Sequence, residues 1–98
     1  MSNLILVGLS HHTAEVAVRE RAAFRPELLA PTLKMLVDRP GIREALILST
    51  CNRVEILCCA EHVDDAIREM EQCLARNSNL SLAELKDKLY HHLSVEFP

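Results

Sequence analysis

The chain has 98 residues, 49 % hydrophobic and 26 % charged, a balance that fits one small globular domain with a core to bury. Aromatics make up only 3 %, with no Trp, so the core must be aliphatic, and the scarcity argues against the stacking platforms of single-stranded nucleic-acid binders. A net charge of −3 excludes a wide basic footprint, and two glycines, Gly8 and Gly41, cannot supply a GxGxxG turn or a GxxxxGK[ST] phosphate loop.

Asn3 to Leu9 is a short apolar run ending in Ser10-His11-His12-Thr13, which predicts a buried strand running into a loop. Glu15 to Phe24 reads as a loop with at most a short helix. Leu29, Leu33, Leu36 and Val37 then follow the spacing of an amphipathic helix. Pro26 suits a helix start, whereas Pro31 removes a hydrogen bond from an interior, so the regular helix is expected to begin near Ala30. After the breaker Arg39-Pro40-Gly41, two strands are predicted at Ile42–Thr50 and Val54–Ala60. With only Cys51-Asn52-Arg53 between them, they should form a hairpin.

Val63, Ala66, Ile67, Met70, Cys73 and Leu74 mark a second amphipathic helix. Ser81-Leu82-Ala83-Glu84 is a capping box with Leu80 and Leu85 as its staple, and Leu89 to Leu93 is the last predicted strand. The order strand, helix, strand, strand, helix, strand predicts an α+β fold of the ferredoxin-like, split βαβ kind. One domain then spans residues 1–98, an antiparallel sheet with its helices on one face. No run approaches the roughly 18 apolar residues of a membrane span. Met1-Ser2-Asn3 lacks the basic start of a signal peptide, which predicts a cytoplasmic protein.

The four cysteines, at positions 51, 58, 59 and 73, include no CxxC pair, so reduced thiols and no metal site are expected. Cys58, Cys59 and Cys73 lie in runs where a small apolar side chain packs. Cys51 instead falls in the hairpin turn among Thr50, Asn52 and Arg53. There a guanidinium or backbone N–H groups favour the nucleophilic thiolate. Asn52 tolerates the left-handed backbone angles of a tight turn. Limiting alkylation should therefore reach Cys51 first and Cys73 last. Arg53 offers a bidentate fork for a carboxylate, or else a surface ion pair with Glu55 or Glu44. His11 and His12 end a central strand near the hairpin, as a possible base or as solvated loop residues. His91 and His92 alternate faces on a strand, so one metal is not shared between them.

Gly8-Leu9-Ser10-His11-His12-Thr13-Ala14, Arg19-Glu20-Arg21 and above all Leu48-Ser49-Thr50-Cys51-Asn52-Arg53-Val54-Glu55 resemble the amino-terminal catalytic domain of the glutamyl-tRNA reductase family, over nearly the whole chain. The resemblance implies that Cys51 is the nucleophile that attacks the glutamyl-tRNA ester to form a thioester. Thr50, Asn52 and Arg53 would hold the glutamyl group. NADPH would be the co-substrate that reduces the thioester to glutamate-1-semialdehyde, for tetrapyrrole (porphyrin) biosynthesis. A homodimer and hand-over to glutamate-1-semialdehyde aminomutase are implied for the full-length enzyme.

The family's nucleotide-binding and dimerisation domains lie outside these 98 residues, so this chain alone is expected to bind no NADPH and to be inactive as a reductase. A histidine that the resemblance places just after Val95-Glu96 is missing, and His91 and His92 do not take its role. Two rival readings are a non-catalytic ligand-binding or regulatory module, since this fold hosts many, and a thiol redox protein, which the lack of a CxxC partner weakens.

Overall fold

In the computed structural model, which describes residues 2–97, alternating apolar residues build a four-stranded antiparallel sheet with its core on one face. The elements are β1 (Ser2–Ser10), α1 (Val16–Ala22), α2 (Pro26–Val37), β2 (Ile42–Ser49), β3 (Arg53–Ala60), α3 (Val63–Ser78), α4 (Leu82–Leu85) and β4 (Tyr90–Phe97). A 3-10 turn at Lys86–Lys88 joins α4 to β4. The strand order β2-β3-β1-β4 and the antiparallel pairing make this the split βαβ arrangement that the element order predicts.

The period-two pattern of the strands decides which face is dry. Ile5, Val7 and Leu9 of β1 stand opposite Cys58, Ile56 and Val54 of β3, and all six are fully buried under the helices. Each large aliphatic side chain so buried contributes about 1.5–3 kcal/mol. From above, α3 adds Ala66, Met70, Cys73 and Leu74, spaced so that one stripe faces the sheet, while α2 adds Leu36 and α4 adds Leu85. The opposite face of the sheet carries Leu4, Leu6, Leu46, Leu48 and Leu57, which are half-buried or exposed.

Local chemistry sets the ends of the elements. Asn79, at φ +57°, ends α3 in the left-handed conformation that Asn tolerates. The Ser81 hydroxyl accepts from the Glu84 N–H at 3.1 Å and the Glu84 carboxylate accepts from the Ser81 N–H at 3.0 Å, which completes the expected capping box.

The helix α2 departs from expectation. It starts at Pro26, not near Ala30, and runs through Pro31. Pro26 occupies the first helical positions, where its missing N–H costs nothing. Pro31 lies on the exposed side, where the carbonyl freed four residues earlier reaches water. The last strand is also longer than Leu89–Leu93, since β4 pairs along β1 from Gly8↔Tyr90 to Ser2↔Phe97.

No helix is long and apolar enough to cross a membrane among the described residues.

Candidate active site at the β2–β3 hairpin

The β2–β3 pairing closes on a two-residue loop, Cys51-Asn52. The Thr50 N–H donates to the Arg53 carbonyl at 2.8 Å. The Thr50 hydroxyl accepts from the N–H groups of Asn52 at 3.3 Å and Arg53 at 3.2 Å, which ties the turn from within. Asn52 does not adopt the left-handed angles it tolerates, because Asn79 is the only non-glycine residue with positive φ among the described residues. The Thr50 hydroxyl takes over that turn-forming role.

Two ties come from outside the turn. The His11 N–H donates to the Asn52 carbonyl at 2.8 Å, so the end of β1 does approach the hairpin. It does so through main chain, since the rings of His11 and His12 lie exposed against each other, 3.9 Å between centroids. The second tie is Arg19 of α1, whose Nε donates to the Cys51 carbonyl at 3.2 Å and whose Nη1 donates to the Ala14 carbonyl at 2.8 Å.

Of the four thiols only Cys51 is exposed. It stands with Thr50, Asn52, Arg19, Val16 and Phe24 around an open cleft of about 740 Å³ between α1 and the hairpin. Burial pushes the Cys58 thiol up to about 12 and the Cys73 thiol up to about 11, so both are held as inert neutral groups in the core.

Arg53 opens β3 on the sheet face away from the helices. Its Nη1 lies 3.7 Å from Glu55 Oε2, so of the two ion pairs open in sequence the one with Glu55 forms. Glu55 in turn accepts a hydrogen bond from the Tyr90 hydroxyl of β4. Burial, followed by that bond, pushes the Tyr90 hydroxyl up to about 12. The Glu55 side chain lies over Gly8, where an added Cβ would come within 2.7 Å of Glu55 Cγ and 2.6 Å of the Val54 carbonyl oxygen. Thr50, Cys51 and Asn52 thus line the cleft together, whereas Arg53 turns to the other face of the sheet, where a Glu55–Tyr90 pair braces it. Sequence reasoning had no means of finding that pair, since it depends on the register of β4.

His91 and His92 part company as strand alternation requires. His91 Nε2 meets the buried Glu71 of α3 at 2.8 Å, and the ring of His92 lies against Tyr90 on the other face, 5.5 Å between centroids. No group of three His, Cys, Asp or Glu residues suited to a metal occurs among the described residues.

The family described as "Glutamyl-tRNAGlu reductase, N-terminal domain" matches residues 7–96. The chain is 44 % identical over 90 residues to a glutamyl-tRNA reductase of Alcanivorax borkumensis, covering 92 % of this chain and 21 % of that protein. It is 43 % identical over 90 residues to one from Geotalea uraniireducens, with the same coverage. To one from Synechococcus elongatus it is 42 % identical over 88 residues, covering 90 % of this chain and 20 % of that protein. The chain therefore spans about a fifth of the length of the curated relatives it matches. With its split βαβ sheet and a Thr-Cys-Asn-Arg hairpin at one end, the chain belongs to the family of glutamyl-tRNA reductase amino-terminal domains.

Proposed function

We propose that this chain is the acyl-accepting part of a glutamyl-tRNA reductase, with Cys51 as the nucleophile. The observation that carries the reading is the contrast among the thiols. Cys58 and Cys73 are buried, whereas Cys51 stands exposed on a tied turn, at the mouth of a cleft and next in sequence but one to Arg53.

An aminoacyl ester is already activated, so a thiolate attacks it without a deep general base. The Cys51 sulfur bonds to the glutamyl carbonyl carbon and the bond from that carbon to the terminal ribose oxygen breaks. The tRNA leaves with that oxygen, which takes a proton from water, and glutamate remains as a thioester. Arg53 presents a fork to the side-chain carboxylate of glutamate. At 3.7 Å its pair with Glu55 is longer than a hydrogen bond, which leaves the fork to an incoming carboxylate. Thr50 and Asn52 supply the remaining polar groups of the turn.

Reduction of the thioester to glutamate-1-semialdehyde, with NADPH as co-substrate, belongs to the whole reductase in this reading. The two glycines of this chain do not build the glycine-rich turn that holds a dinucleotide's phosphates. Gly8 is wedged in the sheet under Glu55, and Gly41, at φ +86°, opens β2 beside His62, so neither forms a phosphate-binding turn. Glutamyl-tRNA as acyl donor, a homodimer, hand-over to glutamate-1-semialdehyde aminomutase and a cytoplasmic address are likewise properties proposed for the whole enzyme, and membership of the family supports them.

The test is direct. The chain is incubated with glutamyl-tRNA and, separately, with the glutamyl ester of adenosine, then digested for peptide mass spectrometry. A glutamyl adduct on Cys51 that hydroxylamine removes, and that Cys51→Ser abolishes, is the expected result. No adduct with either donor would overturn the reading.

A further inference from the structure

Two arginines stand two positions apart on the seven-residue α1, and each directs its guanidinium at two main-chain carbonyls. Arg21 donates from Nε to Ser78 at 3.1 Å and from Nη2 to Asn79 at 2.7 Å, which fastens α1 to the end of α3. Arg19 donates to Ala14 and to Cys51, at 2.8 and 3.2 Å. One arginine joins helix to helix. The other takes hold of the peptide that carries the thiol.

We propose that Arg19 is a positioning residue for Cys51: by holding the Cys51 carbonyl against the β1–α1 loop, it fixes the direction from which the thiol meets an acyl carbon. The proposal rests on the acyl-transfer reading above. A carbonyl held in place fixes the plane of the Cys51–Asn52 peptide, and that plane constrains the rotation that sets where the Cys51 Cβ and sulfur point. With the His11 N–H on the next carbonyl, two consecutive peptide oxygens of the turn are anchored from outside. The ties made by Thr50 close the turn but do not aim it at the cleft.

Hydrogen bonds from a charged donor are about twice as strong as neutral ones. Only a guanidinium spans two carbonyls at fixed angles, whereas an ammonium is a single point on a flexible stem. Bringing a nucleophile about 1 Å out of line costs on the order of 100-fold in rate. Nη2 remains as a further donor on a residue that lines the cleft.

The experiment compares Arg19→Lys with Arg21→Lys in the 98-residue chain, using two reactions at Cys51. In the first, the phenyl α-thioester of glutamate transfers its acyl group: a bond forms from the Cys51 sulfur to the carbonyl carbon and thiophenolate leaves. In the second, iodoacetamide alkylates Cys51, which needs a reachable thiolate and little alignment. Arg19→Lys should slow glutamyl transfer by about 10- to 100-fold and leave alkylation within about two-fold. Arg21→Lys should change both reactions by the same factor.

An unchanged ratio of the two rates in Arg19→Lys overturns the positioning role. Labelling of Cys58 and Cys73 in that variant also overturns it, because Arg19 would then be part of what holds the fold. A wild-type chain that is alkylated at Cys51 but takes up no glutamate overturns the acyl-transfer reading itself, and the positioning role falls with it. The three failures are distinguishable in one set of spectra.

Discussion

Brief alkylation of the folded chain converts the burial of its four thiols into a ladder of rates. The reacting species is the thiolate, so the rate at each site is the product of thiolate fraction and access. At pH 8 a thiol held up to about 12 is thiolate about once in 10⁴ molecules, which is the case for Cys58. For Cys73, held up to about 11, the fraction is about one in 10³. A thiol in water, with a pKa of about 8.5, is about one quarter thiolate at the same pH. Thiolate fraction alone therefore sets Cys73 more than 100-fold, and Cys58 more than 1,000-fold, below an ordinary thiol. Access widens the gap, since Cys58 is 1 % exposed and Cys73 3 %. Cys59, half-buried on the open face opposite Leu4, falls between these and Cys51. The assay is limiting iodoacetamide for a short time, an acid quench and quantification of the four cysteine peptides. The expected order is Cys51, Cys59, Cys73, Cys58. Alkylation of Cys58 at a rate near that of Cys51, in a chain whose circular dichroism is that of the folded state, would refute the burial argument.

Replacing Arg53 by Lys should lower glutamyl uptake by Cys51 about ten-fold or more, because a point charge does not replace a carboxylate fork; near-complete retention of uptake would remove that role. Gly8→Ala drives a methyl to 2.6 Å from the Val54 carbonyl, an atom of the sheet ladder that has no room to retreat. Overpacking of this kind costs about 1–3 kcal/mol, and thermal unfolding should fall by about 4–8 °C for each kcal/mol; an unchanged midpoint would contradict the close approach. Stability should also fall in alkali. Well below the ordinary thiol value, Cys58 and Cys73 are protonated folded or unfolded, and their contribution is fully present. From about pH 9 upward the unfolded chain loses these protons first, and the contribution is lost towards pH 12, with Tyr90 adding to the decline above its ordinary value of 10.0. Urea midpoints measured at about pH 8 and about pH 10.5 check the sign, and a level or rising midpoint would oppose it.

Much of the fold is legible in the sequence because each element carries its own signal. Alternation in β1 and β3, the apolar stripe of α3 and the Ser81–Glu84 box are local patterns, and each appears where its pattern predicts. The turn residue Cys51 is legible for the same reason, as a lone thiol in a polar hairpin. What sequence does not convey is registration at a distance. Arg19 is an ordinary helix residue until α1 is laid beside the hairpin, and Glu55 becomes a brace for Arg53 only when β4 sets Tyr90 across Gly8. Pro31 misleads because the rule against prolines inside helices depends on whether the freed carbonyl is wet, which the sequence does not state. The depth of Cys58 relative to Cys73 is another such case. A strand position and a helix position look equally apolar in sequence, and the sheet proves the drier of the two.

The strand order has a mechanical consequence for the hairpin. β3 is hydrogen-bonded on both sides, to β2 and to β1, whereas β2 is an edge strand with Leu46 and Leu48 exposed. Opening of a strand costs more where two neighbours must be released than where there is only one, so amides in β3 should exchange with solvent more slowly than those in β2. The two arms of the hairpin are therefore unequal. Thr50 follows the edge strand and Arg53 begins the inner one. Thr50 therefore closes the looser arm and Arg53 opens the firmer one, while the ties from Arg19 and the His11 N–H hold the two carbonyls between them.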